Sequence, residues 1–486
     1  MASTTNRRGA ARRSGRIAGL LFALVWLSCA WFGSWEWNPN NSTRLFAALS
    51  LVEQGDATID EYAALTIDKA QFGEHFYLDK APGVTLMALP AVALAGAATG
   101  QVARDLSLEL WQPASERFMT IRLRLAAATT AALLTALAAL ALFDLGRKLG
   151  GSDGAGVFTA VGYALGTPVW GWSTTLFGHA PVAALLVLAA WAAWRGTEDA
   201  RPSAGLAALA GGALGWAVVI EYPAAMPGLA IALWALWRLR RWPLAEKRGA
   251  LFAAVGAGIL ALLPLIAYNL IAFGTVFRLG YQGVVGFEGM NQGLFGLTYP
   301  KPWVLYEILF GSRRGMVWVA PIALVGAVGL GGLVRDHRTR DLGVLAVAIV
   351  AMMFLYNAAY VYWDGGNSTG PRHAVPALGF LALGLPAIWR VTRGWAARAG
   401  LVALLGVSIA INLAIVSAEI TSGGKGDFPL WEDVILHRFL TGDLRTLPSD
   451  FGGWTPWEGL AWWALLAAAA LGAIIVALRQ APDSTR

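Results

Sequence analysis

The chain has 486 residues, of which 57% are hydrophobic and only 14% are charged. This composition excludes an ordinary soluble domain and indicates a polytopic membrane protein. The net charge of +7 could suit nucleic acid, but the basic residues lie in short loops between apolar runs. There they report membrane topology, so no nucleic-acid partner is expected. The single cysteine, Cys29, allows no intramolecular disulfide.

The apolar segments predict an all-α membrane protein with one domain, embedded in the lipid bilayer, that covers residues 1–486. It begins with a basic tail, residues 1–16, which we expect in the cytoplasm. About twelve transmembrane helices are predicted, near 17–34, 118–145, 154–171, 180–195, 204–220, 224–239, 250–272, 315–334, 342–362, 374–390, 399–418 and 459–478. A further apolar segment, 83–99, is short for a span and follows Pro82.

The distribution of lysine and arginine predicts the topology, because cytoplasmic loops carry an excess of both. If 83–99 does not cross the bilayer, the basic segments after it all fall on the cytoplasmic side; they are 147–148, 195–201, 238–248, 335–340 and 390–398. We therefore expect 83–99 to be a re-entrant or surface helix, with a spanning helix as the alternative. The segments 36–117, with its juxtamembrane helices, and 419–458 then form loops on the outer face.

The most polar part of the first outer loop is residues 60–83. Ionisable groups crowded between apolar segments are expensive and are usually kept for function. Asp60, Asp68 and Asp79 are therefore candidate catalytic residues, since a carboxylate can accept the proton of an attacking hydroxyl. The alternative is a solvated acidic loop. A divalent cation is conceivable because hard cations prefer carboxylates, but no spacing predicts a metal site and no cofactor is certain.

Three basic residues are candidate phosphate contacts. Lys80 stands at a polar-to-apolar border, where its ammonium could hold an anionic headgroup whose tail stays in lipid. Arg372 follows a run of glycines and Pro371, at a predicted helix start that suits a phosphate. Arg314 is a local exception to the positive-inside pattern. The alternative for each is an interfacial side chain that reaches the lipid headgroups.

Further polar and aromatic residues fall on the same predicted face. His179 begins one helix and Glu221 ends another, so both are candidate substrate contacts, with a structural role as the alternative. Trp363 and His373 flank the glycine-rich run and are candidates for the same reason. Aromatic side chains such as Trp363 could also belong to the interfacial belt of the membrane.

The order of these segments resembles the GT-C superfamily of polyprenyl-phosphate-dependent glycosyltransferases. This class contains the protein mannosyltransferases of glycosyltransferase family 39 and the lipid A aminoarabinose transferase. The resemblance runs through Thr43-Arg44, a helix to Gly55-Asp56, and Phe76-Tyr77-Leu78-Asp79-Lys80-Ala81-Pro82, and continues through the Arg122 helix and the His179 turn. It implies a GT-C bundle in which Lys80 binds the phosphate of a lipid-linked sugar.

The chain departs from that class at one position. The resemblance implies an acidic pair just before Thr43-Arg44, but Asn41 and Ser42 stand there. Since an amide cannot take a proton, the base of an enzyme would come from the three aspartates named above. Asn41, Arg44 and Tyr77 remain candidate substrate contacts.

We expect a multi-pass glycosyltransferase of the bacterial inner membrane that works on the extracytoplasmic face. Its donor would be a polyprenyl-phosphate-linked sugar, its acceptor an envelope glycan, lipid or protein, and inversion at the sugar carbon is expected. Two alternatives remain open: a transporter or flippase of a lipid-linked glycan, and a non-catalytic relative. A flippase needs the phosphate contacts but no base. The sequence does not distinguish among sugars or acceptors.

Overall fold

The computed structural model describes residues 2–422 and 426–480, and residues 423–425 of the predicted loop 419–458 lie outside this range. Helices dominate these residues. They are α1 Ala2–Trp31, α2 Pro39–Leu49, α3 Gly83–Thr99, α4 Pro113–Thr129, α5 Ala131–Gly150, α6 Asp153–Ala164, α7 Val169–Trp172, α8 His179–Arg195, α9 Ala204–Ile220, α10 Ala225–Leu239, α11 Leu244–Phe273, α12 Pro302–Phe310, α13 Met316–Val319, α14 Pro321–Arg335, α15 Arg340–Ala359, α16 Leu378–Ala382, α17 Leu385–Val391, α18 Trp395–Ala418, α19 Leu447–Phe451 and α20 Pro456–Arg479.

Several of these helices are long and apolar enough to cross a membrane. In the described part of the chain seven stretches meet that standard, and four shorter apolar helices accompany them, at Gly83–Thr99, His179–Arg195, Ala204–Ile220 and Pro321–Arg335. The predicted all-α polytopic membrane fold is therefore confirmed. The number of about twelve crossings stays a prediction, since a helix of roughly 20 residues is needed to span the bilayer.

The expected helix between Thr43-Arg44 and Gly55 is found as α2, which continues as one π-helical turn, Ser50–Gln54, and stops at Gly55 in the left-handed conformation. Asn38 begins α2 as its N-cap, since its side chain accepts a hydrogen bond from the Asn40 amide. From Asn41 to Ser50 every residue of this segment is buried. The segment is thus packed inside the protein on all sides, which restricts the positions of its polar side chains.

A short antiparallel hairpin interrupts the helices, with β1 Ala70–Phe72 and β2 His75–Tyr77 joined across Gly73, which has a positive φ. Ala70 pairs with Tyr77 in this register. Continuing the register outward brings residue 68 opposite residue 79, because the partners of an antiparallel pair have a constant sum of numbers. The hairpin therefore delivers two acidic residues to one place.

The bundle has two chemically different ends. At one end, basic and acidic side chains from neighbouring helices pair, as in Arg147–Asp153 at 2.6 Å and Arg195–Asp144 at 3.1 Å. The same end carries Arg390–Asp336 at 3.2 Å. The opposite ends of the helices meet the hairpin and the long loops. Because α8 and α15 extend from one end to the other, their termini mark the two ends.

Candidate functional site

A cavity of about 510 Å³ lies at the loop-bearing end of the bundle. Its walls come from the start of α2, the hairpin, the start of α8, the turn after α9, the end of α15 and the glycine-rich loop. Ligand pockets commonly have volumes of about 300–1,000 Å³. The acidic and basic side chains of this lining, histidines included, are Arg44, Asp68, Asp79, Lys80, His179, Glu221, Asp364, Arg372 and His373.

Lys80 lies between the two acids that the hairpin brings together. Its Nζ is 3.3 Å from Asp68 Oδ2 and also donates a hydrogen bond to Asp79 Oδ2. Burial by itself would lower the pKa of Lys80, but the two carboxylates outweigh burial and raise it. Lys80 therefore stays an ammonium throughout the ordinary pH range, and its position is held from two sides.

Asp79 and Asp68 differ in their surroundings. Asp79 is fully buried, and burial raises its pKa although Lys80 opposes that shift. Its Oδ1 has no hydrogen-bond partner among the described residues. Asp68 accepts a hydrogen bond from Asn40 Nδ2 at 2.8 Å through Oδ2, the oxygen that also faces Lys80. No described residue donates to Asp68 Oδ1, so this oxygen is available to a ligand.

Arg44 reaches the cavity from the first turns of α2. It donates to the Asn40 carbonyl at 3.0 Å and to the Asn40 side chain, while its Nε has no partner among the described residues. Asn40 thus connects Arg44 with Asp68. The neighbouring Asn41 points elsewhere, since it donates to the Trp35 carbonyl and accepts from the Leu176 amide. Adjacent residues of a helix point in different directions, so Asn40 reaches the cavity whereas Asn41 does not.

His179 and Glu221 form a pair on another wall. His179 Nδ1 lies 3.1 Å from Glu221 Oε1, with His179 at the first position of α8 and Glu221 directly after α9. Burial would raise the pKa of Glu221, but His179, Arg44 and Arg372 outweigh burial and lower it. Glu221 is therefore a carboxylate, and it offsets positive charge of Arg44 and Arg372.

The glycine-rich loop brings Arg372 to the cavity. Gly365 and Gly366 both have positive φ, a conformation that glycine adopts without strain. Arg314 is fully buried behind this loop and donates to the carbonyls of Asp364 and Gly366 at 2.7 and 2.8 Å. The Arg372 guanidinium lies 5.3 Å from the ring centroid of Phe177, and its Nε has no partner among the described residues.

The cavity gathers most, but not all, of the residues predicted from the sequence. Those in its lining are Lys80, Asp68, Asp79, Arg44, Arg372, His179, Glu221 and His373, and those outside it are Asp60, Tyr77, Asn41, Arg314 and Trp363. Asp60 binds His75 Nδ1 and the Phe76 amide, each at 2.6 Å, and so ties down the hairpin. Tyr77 lines a separate hollow beside Phe72 and Arg278. Trp363 packs edge-on against Trp303.

Sequence reasoning missed several lining residues. Tyr356 and Tyr360 end α15 on one face, stacked with ring centroids 6.2 Å apart, and Asn40 bridges Arg44 and Asp68. The spacing of the two tyrosines by four residues is a signal that could have identified a shared helix face. The sequence carries no such signal for Asn40, because its role depends on which face of α2 is directed into the cavity.

The solved structures that match the chain include ArnT from Cupriavidus metallidurans bound to undecaprenyl phosphate and the same protein in the apo state. Each match has a TM-score of 0.51 and 14% sequence identity, and covers 96% of this chain. The share of the other chain that is covered is 76% for the bound state and 77% for the apo state. The chain has the fold of ArnT.

ArnT is a GT-C glycosyltransferase, so the GT-C fold predicted from the sequence is confirmed. At this level of identity the likeness establishes the fold, and activity has to be argued from the site. No protein-family model matches the chain, and no curated protein sequence matches it.

Proposed function

We propose that this protein is a membrane glycosyltransferase that takes a sugar from a polyprenyl-phosphate donor. The observation that carries the proposal is the convergence of three cations, Arg44, Lys80 and Arg372, with the carboxylate of Asp68 around one cavity. The ArnT fold adds support, since one ArnT structure contains undecaprenyl phosphate. The acceptor is a hydroxyl of an envelope glycan, lipid or protein, and the cavity faces the extracytoplasmic side of the bacterial inner membrane.

Lys80 and Arg372 hold the donor phosphate in this proposal. As the bond between the sugar carbon and the phosphate oxygen breaks, negative charge grows on the phosphate. Cations already in position stabilise that charge more than they stabilise the ground state, which accelerates the reaction. Asp79 is fully buried against Lys80, so its role is to fix the ammonium. Lys80 remains a cation when the phosphate arrives because its pKa is raised.

Asp68 is the base in this proposal. The acceptor oxygen attacks the sugar carbon, its proton passes to Asp68, and the donor leaves as polyprenyl phosphate. This single displacement inverts the configuration at the sugar carbon. Asp68 suits the role because Asn40 and Lys80 hold its Oδ2 while no described residue occupies Oδ1. Of the other two predicted acids, Asp60 lies outside the cavity lining, and Asp79, although it belongs to the lining, is fully buried, as is its unpartnered Oδ1.

The same phosphate contacts would serve a flippase, which transports the lipid-linked sugar unchanged. A flippase has no use for a carboxylate with a free oxygen beside the phosphate site, and Asp68 therefore favours the enzyme. A non-catalytic relative would bind the donor in the same way. Turnover separates these alternatives from the proposal.

The test is release of free polyprenyl phosphate by the full-length protein in lipid nanodiscs. Polyprenyl-phosphate sugars are supplied with a crude envelope extract as acceptor, and wild type is compared with Lys80→Ala. We expect release by the wild type and a loss of about 100- to 1,000-fold in the variant, the usual effect of deleting a charge-stabilising contact. Binding of the donor without release from any sugar would contradict the transferase and favour the flippase or the non-catalytic relative.

A further inference from the structure

A second polar groove, of about 640 Å³, lies at the end of the bundle opposite the cavity. Its walls are the end of α10 and the start of α15, whereas the cavity touches the start of α10 and the end of α15. The two sites are therefore separated by the length of α15, about 30 Å at 1.5 Å per residue. The lining of the groove consists of Trp194, Trp234, Trp237, Arg238, Arg240, Arg241, His337, Arg338, Arg340, Asp341 and Val344.

The groove has far more positive than negative charge. Among its five arginines only Arg238 pairs with Asp341, the one acid of the lining. The other arginines are exposed. Arg240 stacks its guanidinium 4.1 Å from the Trp237 ring centroid, and no described residue accepts a hydrogen bond from the Arg338 side chain. The nearby acids Asp336 and Glu198 are engaged by other bases, Arg390 and Lys148. The groove thus presents unneutralised guanidinium groups.

Two further features indicate a ligand. The α15 helix begins in the groove at Arg340, and its N-cap residue Thr339 makes no side-chain cap hydrogen bond. The first amides of a helix that lacks such a cap favour an anion. Independently, Trp234 is only 8% exposed, lines the groove, and has an indole Nε1 with no partner among the described residues. A buried N–H of this kind usually finds an acceptor.

The surroundings of the groove indicate that the anion belongs to a lipid. Trp237 and Val344 line the groove and are 46% and 52% exposed, and the exposed apolar surface continues along both helices through Leu233 and Val347. Acyl chains would lie against this surface while the headgroup occupies the groove. Basic pockets between transmembrane helices at the cytoplasmic side bind lipids with several phosphates, and the tryptophans suit the interface.

We propose that this groove binds the headgroup of an anionic phospholipid with two phosphates, of the diphosphatidylglycerol type. The arginines Arg240, Arg338 and Arg340 contact the phosphates, and the indole N–H of Trp234 donates to a headgroup oxygen. The site is independent of the proposed transferase activity, because it lies at the other end of the bundle and shares no lining residue with the cavity.

The test is native mass spectrometry of the full-length protein, purified in detergent, stripped of lipid and titrated with diphosphatidylglycerol. Phosphatidylglycerol and phosphatidylcholine serve as lipids with one anionic phosphate and with no net charge, and inorganic pyrophosphate represents a soluble diphosphate. The variant is the double substitution Arg240→Ala with Arg338→Ala. The matched control is Arg393→Ala, an exposed arginine at the same end of the bundle but outside the groove lining.

We expect wild type and Arg393→Ala to retain one diphosphatidylglycerol, and the double variant to bind it about 30-fold more weakly. Phosphatidylglycerol should bind less tightly and phosphatidylcholine not at all. An equal loss in Arg393→Ala would overturn the proposal, because binding would then follow the total charge of the surface. Displacement of the lipid by pyrophosphate would also overturn it, since the groove would then be a site for a soluble diphosphate. The exposed positions of Arg240 and Arg338 leave the core unchanged, and melting of the purified variant checks this.

Discussion

At the scale of single residues, the three candidate aspartates have different contacts and therefore different roles. Asp60 fastens the hairpin, Asp79 fixes Lys80 from a fully buried position in which its free Oδ1 is also buried, and Asp68 keeps one oxygen without a partner and not enclosed in that way. The sequence places all three in one acidic stretch and offers no means of ranking them. What separates them is the register of a hairpin of only two three-residue strands, and so short a pattern gives almost no periodic signal.

At the residue scale we predict that Asp68→Asn lowers the turnover number about 100- to 10,000-fold, the contribution of a general base. Binding of the donor should change far less, since the amide still fits between Asn40 and Lys80. Steady-state release of polyprenyl phosphate together with a separate donor-binding titration measures both quantities. The control is Asp60→Asn, which acts only through the hairpin. An Asp60→Asn enzyme that is slower than Asp68→Asn would contradict the assignment of the base.

The direction of individual side chains also limits how much of the site can be predicted from the sequence. The sequence places Lys80, Arg372, His179 and Glu221 on one predicted face by topology alone, and the cavity contains all four. Arg314, also predicted from the sequence to contact phosphate, instead donates to two carbonyls of the glycine-rich loop. The direction of a buried guanidinium depends on tertiary contacts, so no local pattern in the sequence distinguishes these two outcomes.

At the scale of elements, the stability of the hairpin should depend on pH, and the geometry of the site depends on the hairpin. The hydrogen bond to Asp60, together with its charge, raises the pKa of His75 above 6.5. A group with a raised pKa in the folded state stabilises fully below its unfolded pKa, and the effect is lost as the pH rises through the folded value. The hairpin should therefore be held most firmly below pH 6.5 and loosen above it.

Hydrogen exchange of residues 70–77 measures this effect after correction for the intrinsic pH dependence of exchange. We expect lower protection at a pH above the raised pKa of His75 than at a pH below 6.5. The His75→Asn variant should remove that difference. Equal protection at both pH values in the wild type would mean that the His75–Asp60 contact contributes nothing to the hairpin.

The site also depends on the close contact between α3 and α9. A Cβ atom at Gly83 would lie 2.6 Å from the Ile220 amide nitrogen and 2.7 Å from the Val219 carbonyl. Backbone atoms cannot move aside as a flexible side chain can. Glu221 directly follows Ile220, and Lys80 lies three residues before Gly83. The contact therefore sets the distance between the two walls of the cavity to which Glu221 and Lys80 belong.

We predict that Gly83→Ala destabilises the protein by about 1–3 kcal/mol, the usual cost of overpacking, and lowers donor affinity. Thermal unfolding in nanodiscs and a donor titration test both effects. Gly256→Ala in α11 is the matched control, since a Cβ there meets no atom within 4 Å and alanine favours a helix. Equal stability of the Gly83 and Gly256 variants would contradict the proposed contact.

At the scale of the whole molecule, the sequence predicted the class of fold and the grouping of the motif residues better than it predicted details. Hydropathy identifies apolar helices because the bilayer admits little else, and the ArnT match confirms the resulting fold. The basic segments expected on one side do lie together, where Arg147 and Arg195 pair with acids of neighbouring helices. The crossing number stays a prediction because helices such as α3, with 17 residues, are near the minimum length.

The proposed orientation predicts which end of the bundle is accessible from outside the cell. In a Cys29→Ser background, a cysteine at the exposed Gln71 of the hairpin should react with a membrane-impermeant maleimide on intact cells. A cysteine at the exposed Asp199, next to the basic end, should react only after permeabilisation. The reverse pattern of labelling would place the cavity in the cytoplasm and overturn the proposed orientation.

An experimental structure of the full-length protein in nanodiscs with undecaprenyl phosphate added tests the proposed donor site most directly. We predict that the lipid phosphate lies in the 510 Å³ cavity, within hydrogen-bond distance of Lys80 and Arg372 and beside Asp68 Oδ1. A phosphate ordered at any other place, including the arginine groove at the opposite end, with the cavity empty would contradict the assignment of the cavity as the donor site.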